Sequence, residues 1–161
     1  DMNTHASEIY DNPKWPESPL FYINFPSISD SNMAPKGHEN CFILIPIAPG
    51  LEDNDQIRKK YLEMVLERIE KISGEKIIDH IDYSKSYCVR DFINDYNSYK
   101  GNAYGLANTL FQTSIFKPKL KSKKVKGLYF TGQLTVPGPG VPPSLISGKI
   151  VSNIVMKDYP Y

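Results

Sequence analysis

Cysteine is scarce in this sequence, whose 161 residues include only Cys41 and Cys88. The two lie far apart and in no Cys-x-x-Cys or Cys/His spacing, so neither a disulfide framework nor a zinc site is indicated. Long apolar runs are also missing, because the stretch from Cys41 to Ala48 is much too short to cross a bilayer. We therefore expect a reduced, cytoplasmic setting and no integral membrane segment.

A charge excess of one sign is absent as well. Lys and Arg number 19 against 18 Asp and Glu, so no overall field favours nucleic acid as a partner. Hydrophobic residues make up 40% and charged residues 23%, which is ordinary for a globular protein long enough to build one core. The sequence begins with Asp1 rather than Met, which predicts a fragment of a longer chain.

Apolar and helical patterns in the first half predict an α+β (mixed α/β) fold. Residues 1–19 are polar and rich in proline, which is typical of an irregular lead-in. Segments 20–25 and 41–47 predict two paired strands, the second apolar on both faces and so covered on both sides. Residues 55–73 predict a helix that packs against this sheet. Its expected buried stripe consists of Ile57, Tyr61, Met64, Val65, Ile69 and Ile72.

The middle of the chain is less regular. Residues 77–89 predict an extended segment and residues 90–96 a short helical turn. A loop rich in glycine and asparagine follows at 99–105 and leads to an expected buried turn over 106–116. Next comes a basic loop, which we expect to be a solvated turn with six lysines at 117, 119, 121, 123, 124 and 126.

Chemistry is indicated most clearly near the end of the chain. A strand at 127–132, a Pro/Gly loop and a helix over 144–156 form a unit that presents a helix N-terminus, which attracts anions. Gly138 and Gly140 carry no Cβ, so the backbone can lie against a flat ring. Donors expected to bind are the N–H groups of Gly140, Val141, Ser144 and Leu145. A simple tight turn remains the alternative, since an isolated glycine loop is a weak signal.

Several motifs in register resemble one family. Gly101-Asn-Ala-Tyr-Gly-Leu-Ala107 and the stretch Gly127-Leu-Tyr-Phe-Thr-Gly132-Gln-Leu-Thr-Val-Pro137-Gly-Pro-Gly-Val-Pro142 look like the C-terminal signature of bacterial phytoene-desaturase-type enzymes, which are flavin-dependent carotenoid oxidoreductases. Tyr22-Ile-Asn-Phe-Pro-Ser27 and Phe42-Ile-Leu-Ile-Pro46 agree with it. The resemblance extends over about residues 19–156.

This resemblance implies the C-terminal part of a two-domain FAD-dependent oxidoreductase. Residues 1–116 would belong to the domain that binds the polyene substrate, with a sheet and a packed helix. Residues 117–161 would supply the terminal strand, loop and helix that complete the FAD-binding domain. The chain has no Gly-x-Gly-x-x-Gly after a strand, so the rest of that domain is expected from the N-terminal part of the same enzyme.

The resemblance also names site residues. Those expected to contact FAD are Gly132, Gln133, Pro137, Gly138, Gly140, Val141 and Pro142. Gln133 stands where related flavoproteins often have a carboxylate. Tyr104, Phe111 and Phe116 are expected to face the polyene, with ordinary core packing as the alternative. No residue is identified as the catalytic base, since His5, His38 and His80 lie in polar segments that favour solvated or capping roles.

The implied reaction removes hydrogens from adjacent carbons of a long polyene, such as phytoene or a hydroxycarotenoid, with hydride transfer to FAD. The fragment alone is expected to be inactive. Alternatives with the same cofactor are a polyene isomerase, an oxygenase or an amine-oxidase-like enzyme. A stand-alone, non-enzymatic module is the alternative from another class, and would use the basic loop to contact a membrane or a protein. The same loop could place the enzyme peripherally on the cytoplasmic membrane.

Overall fold

The computed structural model describes residues 1–107 and 109–160, and these form two compact units. Unit 1 is Asp1–Gly101 and unit 2 is Asn102–Tyr161. Helices and a small sheet are both present, which agrees with the expected α+β class. The predicted division of function between 116 and 117 is a different boundary, and it stays a prediction.

Unit 1 begins with helix α1, Met2–Tyr10, in the segment predicted to be an irregular lead-in. The Asp1 side chain caps the helix by accepting from the Thr4 N–H at 3.2 Å. The prediction was wrong for these residues because the buried side chains of α1 are His5 and Glu8, so no apolar stripe marks the helix. Polar burial of this kind leaves no hydrophobic period in the sequence.

Two short strands pair as predicted. β1, Tyr22–Asn24, runs antiparallel to β2, Phe42–Leu44, with Ile23 opposite Ile43. Helix α2, Pro26–Ser29, lies between them in the chain. The sheet has two strands in the described part of the chain, and Phe42 is 51% exposed. The expectation that β2 is covered on both faces is therefore wrong within this chain.

Helix α3 spans Asp55–Ser73, as predicted, with the Asn54 side chain at its start and Gly74 in the left-handed conformation at its end. Its buried residues contact the N-terminal proline segment. The Tyr61 hydroxyl donates to the Pro16 carbonyl at 2.7 Å. The rings of Tyr61 and Trp15 lie 4.6 Å apart. The predicted stripe is too long at its end, because Ile72 is 86% exposed.

An ion-pair cluster joins α3 to helix α4, Val89–Tyr96. Arg58 donates to both carboxylate oxygens of Asp53 at 2.6 Å, and its Nη2 also lies 2.7 Å from a carboxylate oxygen of Asp91. The hydrogen bonds from Arg58 hold the pKa of the Asp53 carboxyl below its usual range. The Arg58 side chain thus faces these carboxylates and is only 12% exposed to solvent.

Unit 2 consists of short turns followed by one long helix. Single 3-10 turns span Leu110–Gln112 and Ser114–Phe116, and helix α5 spans Val141–Asp158. The strand predicted over 127–132 is reduced to one antiparallel bridge between Lys121 and Tyr129. A strand needs a continuous partner for its backbone groups, and for residues 127–132 the described part of the chain provides this bridge alone.

Candidate functional site

The loop before α5 has the backbone geometry that only glycine adopts readily. Gly132, Gly138 and Gly140 have φ values of 99°, 144° and 112°, and the peptide bond between Val136 and Pro137 is cis. A side chain at any of these glycines would be strained. The predicted glycine-dependent turn is therefore present.

The residues of this loop differ in their exposure to solvent. Gly138 is buried, whereas a set of its neighbours is exposed: Pro137, Gly140, Val141 and Pro142. A ligand that meets the loop therefore reaches these exposed residues first. Gly138 instead provides the sharp backbone turn beneath them.

Ser147 holds the loop to the helix. Its side chain is fully buried, and its Oγ accepts from the Gly132 N–H at 2.8 Å. The same Oγ lies 2.8 Å from the Thr131 hydroxyl and donates to the Ser144 carbonyl at 2.7 Å. Sequence patterns do not single out Ser147, because a serine in an apolar helix carries no signal of its own.

Thr135 binds the carbonyl of Gly132, the residue whose N–H donates to Ser147. It is 1% exposed, and its Oγ1 donates to the Gly132 carbonyl at 2.8 Å. Its backbone N–H donates to that carbonyl at 3.1 Å. Both backbone groups of Gly132 are therefore occupied inside the chain, so its contribution to a ligand site is the turn it forms.

The two main motifs of the sequence meet here. The Gln133 amide nitrogen donates to the Ala103 carbonyl at 3.0 Å. A Cβ added to Gly105 would lie 2.1 Å from Leu134 Cδ2, and the φ of Gly105 is 84°, so a larger residue would strain the backbone and displace the leucine side chain. Residues 103 and 105 therefore support the start of the loop at residues 133 and 134.

The start of α5 offers fewer donors than expected. The Ser144 N–H donates to the Gly140 carbonyl at 3.0 Å as the first hydrogen bond of the helix, and the Leu145 N–H continues the helical series. The expectation that these two groups bind a ligand was wrong. Pro142 has no N–H, nor has the proline after it, so the donors left at this end are those of Gly140 and Val141.

The far end of α5 is tied back to the bridge segment. Asp158 accepts from the Lys121 ammonium at 2.6 Å and from the Tyr129 hydroxyl at 2.5 Å. The hydrogen bond to Asp158 raises the pKa of Tyr129 to about 12. Both ends of the helix are thus attached to the chain segment that precedes the loop.

The aromatic residues expected at the substrate are exposed. Tyr104 is 62% exposed, Phe111 75% and Phe116 55%. The rings of Phe111 and Phe116 meet edge to face, with centroids 5.7 Å apart. The prediction of a buried turn over 106–116 is wrong within the described residues of this chain, and Asn108 of that turn lies outside them. Contact of the three rings with a polyene, and core packing as its alternative, stay predictions.

The three histidines, His5, His38 and His80, all belong to unit 1. His5 is 3% exposed and uses both ring nitrogens, accepting from the Leu20 N–H at 3.0 Å and bonding the Pro46 carbonyl at 2.8 Å. The expected solvated or capping role was therefore wrong for His5, which ties α1 to the segments around the sheet. His38 pairs with Asp82 at 2.8 Å on the surface. 

The exposed face of the loop fits a planar anion such as a flavin ring. Glycine backbone without side chains lies beside a helix N-terminus, and two N–H groups there can donate to a negatively charged edge.

Among the described residues, no helix has the length and hydropathy to cross a membrane.

Comparison with known proteins gives extensive matches. The chain is 46% identical over 158 residues to carotenoid 3,4-desaturase from Haloarcula japonica. It is 32% identical over 165 aligned residues to 4,4'-diapophytoene desaturase (4,4'-diaponeurosporene-forming) from Staphylococcus haemolyticus, and 28% identical over 159 residues to 4,4'-diapolycopen-4-al dehydrogenase from Metabacillus indicus. These matches cover at least 98% of the chain but 32% of each relative, so the chain spans about a third of their length. No protein-family model matches it.

Proposed function

Because the chain is of the carotenoid-desaturase type, we propose that it forms the C-terminal part of an FAD-dependent enzyme that desaturates a carotenoid precursor. The whole enzyme removes hydrogens from adjacent carbons of a long polyene. FAD, when bound, supplies the acceptor for the hydride. This chain contributes residues that hold the flavin and that line part of the substrate path.

The observation that carries the proposal is the geometry of the loop at 137–142. Its glycines have positive φ values, and its exposed residues stand at the N-terminus of an 18-residue helix. A bare backbone and a helix N-terminus together suit a ring that is flat and gains negative charge. The N–H groups of Gly140 and Val141 donate to the edge of that ring and orient it.

In this proposal the exposed aromatic residues of unit 2 contact the substrate. Tyr104, Phe111 and Phe116 present rings to the surface of this chain, and an apolar polyene gains by covering them. They exclude water from the substrate and keep its reacting carbons in place. Residues 1–116 as a whole contribute to the polyene-binding domain, and residues 117–161 complete the FAD-binding domain.

An anaerobic reduction experiment tests this function. The full-length protein that contains this chain is loaded with FAD and mixed with candidate polyenes without oxygen. We expect the flavin absorbance to bleach in step with a product that has one more double bond and a longer conjugated system. An isomerised product without bleaching would show an isomerase instead, and a product formed only after oxygen is added would show an oxygenase.

A further inference from the structure

The two units differ in charge, although the charges of the whole chain balance. Unit 2 contains eight lysines and one acidic residue, Asp158, whereas unit 1 contains the other 17 acidic residues and 11 lysines and arginines. The Asp158 carboxylate is paired with the Lys121 ammonium at 2.6 Å. Unit 2 is therefore strongly basic and attracts polyanions.

Most of this charge lies in the lysine run at 117–126. Lys117 is 5% exposed, so the expectation of a solvated turn is wrong at that position. The other five members of the run are exposed: Lys119, Lys121, Lys123, Lys124 and Lys126. Within the described part of the chain, Lys121 alone among these five forms an ion pair. Four exposed ammonium groups are thus available to an anionic surface.

Three of these lysines lie in a tight turn at residues 123–126, which we call the basic tip. The Ser122 N–H donates to the Leu128 carbonyl at 2.9 Å, so the backbone reverses direction between these two residues. The Ser122 hydroxyl also accepts from the Val125 N–H at 3.0 Å, which holds the turn. The basic tip therefore presents its ammonium groups together with the side chain of Val125, which is 53% exposed.

An apolar surface adjoins the lysine run. A groove of about 690 Å³, open to solvent, is lined by four lysines of the run, from Lys117 to Lys123, and by apolar residues that include Ile115, Val136 and Ile154. Ile115 is 82% exposed. Cationic and apolar side chains thus share one solvent-exposed surface of unit 2.

We propose that this surface of unit 2 docks the enzyme peripherally on a lipid bilayer that contains anionic headgroups. The headgroup phosphates attract the exposed ammonium groups. The side chains of Ile115 and Val125 enter the boundary between headgroups and acyl chains, where apolar area is removed from water. Docking needs no bound flavin, so it goes beyond the proposed function and does not depend on it.

The exposed aliphatic side chains favour a bilayer over other polyanions. A nucleic acid or an acidic protein segment would neutralise the lysines but offer no apolar layer to Ile115 and Val125. Unit 2 also contains no arginine, the residue whose planar guanidinium group best recognises the phosphates of nucleic acids. A bilayer with anionic headgroups matches both the charge and the apolar groups of this surface.

Sedimentation with lipid vesicles tests the electrostatic part of the proposal. The full-length protein is mixed with vesicles of phosphatidylcholine alone, or of phosphatidylcholine and phosphatidylglycerol in equal amounts. We expect binding to the anionic vesicles, weakened by added salt. In K123Q/K124Q/K126Q the affinity should fall about hundredfold, since each lysine near an anionic surface contributes about fivefold. K36Q/K60Q/K85Q removes three exposed lysines from unit 1 and should bind like the parent protein.

A second pair of variants tests the apolar part. I115S should lower the affinity for anionic vesicles about tenfold and leave its salt dependence unchanged, because it removes apolar area and no charge. I72S is the matched control, since Ile72 is 86% exposed on α3 in unit 1, and it should have no effect. Equal binding of the two variants would contradict the insertion of Ile115 into the bilayer.

Three results would overturn the docking surface as a whole. The first is equal binding of K123Q/K124Q/K126Q and K36Q/K60Q/K85Q, and the second is equal binding of the parent protein to neutral and anionic vesicles. The third is a parent protein that binds a short DNA duplex or polyglutamate but no vesicles, because the surface would then serve another polyanion. Flavin content of the same samples reports on the proposed function separately. A protein that sediments with anionic vesicles but retains no FAD would refute that function and leave the docking surface intact.

Discussion

The Oγ of Ser147 accepts a hydrogen bond from the backbone N–H of Gly132 at 2.8 Å. Ser147 lies in the second turn of α5, and Gly132 follows the bridge residue Tyr129 shortly before the loop. This hydrogen bond therefore fixes the position of the start of the loop relative to α5. Because the exposed residues at 137 and 140–142 are held between those points, the hydroxyl determines the shape of the proposed flavin surface.

Replacement of Ser147 by alanine is expected to destabilise the full-length protein and weaken FAD retention. S147A leaves the Gly132 N–H without its buried acceptor, which typically costs about 1–3 kcal/mol. Urea unfolding and the flavin-to-protein ratio after desalting measure the two effects. S152A, an exposed serine on the same helix, should change neither. Equal behaviour of the two variants would show that the Ser147 contact is unimportant.

Valine at position 140 is expected to abolish FAD retention. Gly140 has a φ of 112°, which a valine would adopt only with backbone strain, and an added Cβ would lie 3.4 Å from Pro143 Cδ. The valine would also add bulk to the exposed loop residues where we propose that the ring binds. G74V is the matched control, because Gly74 also has a positive φ but caps α3 in unit 1. We expect G74V to lose stability and keep its flavin. A G140V protein with full flavin content would contradict the placement of the ring.

Acid should destabilise unit 1 through Asp53. Its pKa is lowered in the folded state by Arg58, from an unfolded value of about 3.9, so the folded state binds fewer protons. The stabilisation is complete above about pH 5, where the carboxyl is ionised in both states, and is lost as the pH falls through the folded pKa. D53N should therefore flatten the free energy of unfolding between pH 5 and 2. D55N removes an exposed partner of Arg90 and should leave that slope largely unchanged; equal slopes in D53N and the parent protein would refute the effect.

The exposed aromatic residues should affect substrate turnover without affecting the cofactor. Y104A and F111A each remove a ring from the proposed polyene surface. We expect kcat/KM for the polyene to fall about tenfold, or about 1.4 kcal/mol of transition-state stabilisation, with FAD content unchanged. Y83A removes a similarly exposed tyrosine from unit 1 and serves as the control. Unchanged kinetics in both test variants would exclude these residues from the substrate path.

Sequence patterns predicted the elements whose signals are local. α3 and α5 were predicted because apolar spacing and terminal glycine or proline define them within the chain. α1 was not, since it buries His5 and Glu8. The strand expected over 127–132 depends on partners far along a chain, and the described residues give it only the bridge to Lys121.

The candidate-site residues that belong to sequence motifs could be predicted, and the others could not. The glycines of the loop stood out because few residues tolerate their backbone conformations. Ser147 did not, because a serine in an apolar helix carries no signal of its own and only its burial against the loop gives it a role. The burial of Lys117 was not predicted either, because the other lysines of its run are exposed.

A structure of the full-length protein with FAD bound would show directly whether the flavin ring lies on this loop. We expect the ring to lie in van der Waals contact with the exposed backbone at Gly140, within hydrogen-bonding distance of the Val141 N–H. A bound flavin whose ring lies elsewhere, with this loop covered by other protein segments, would contradict it.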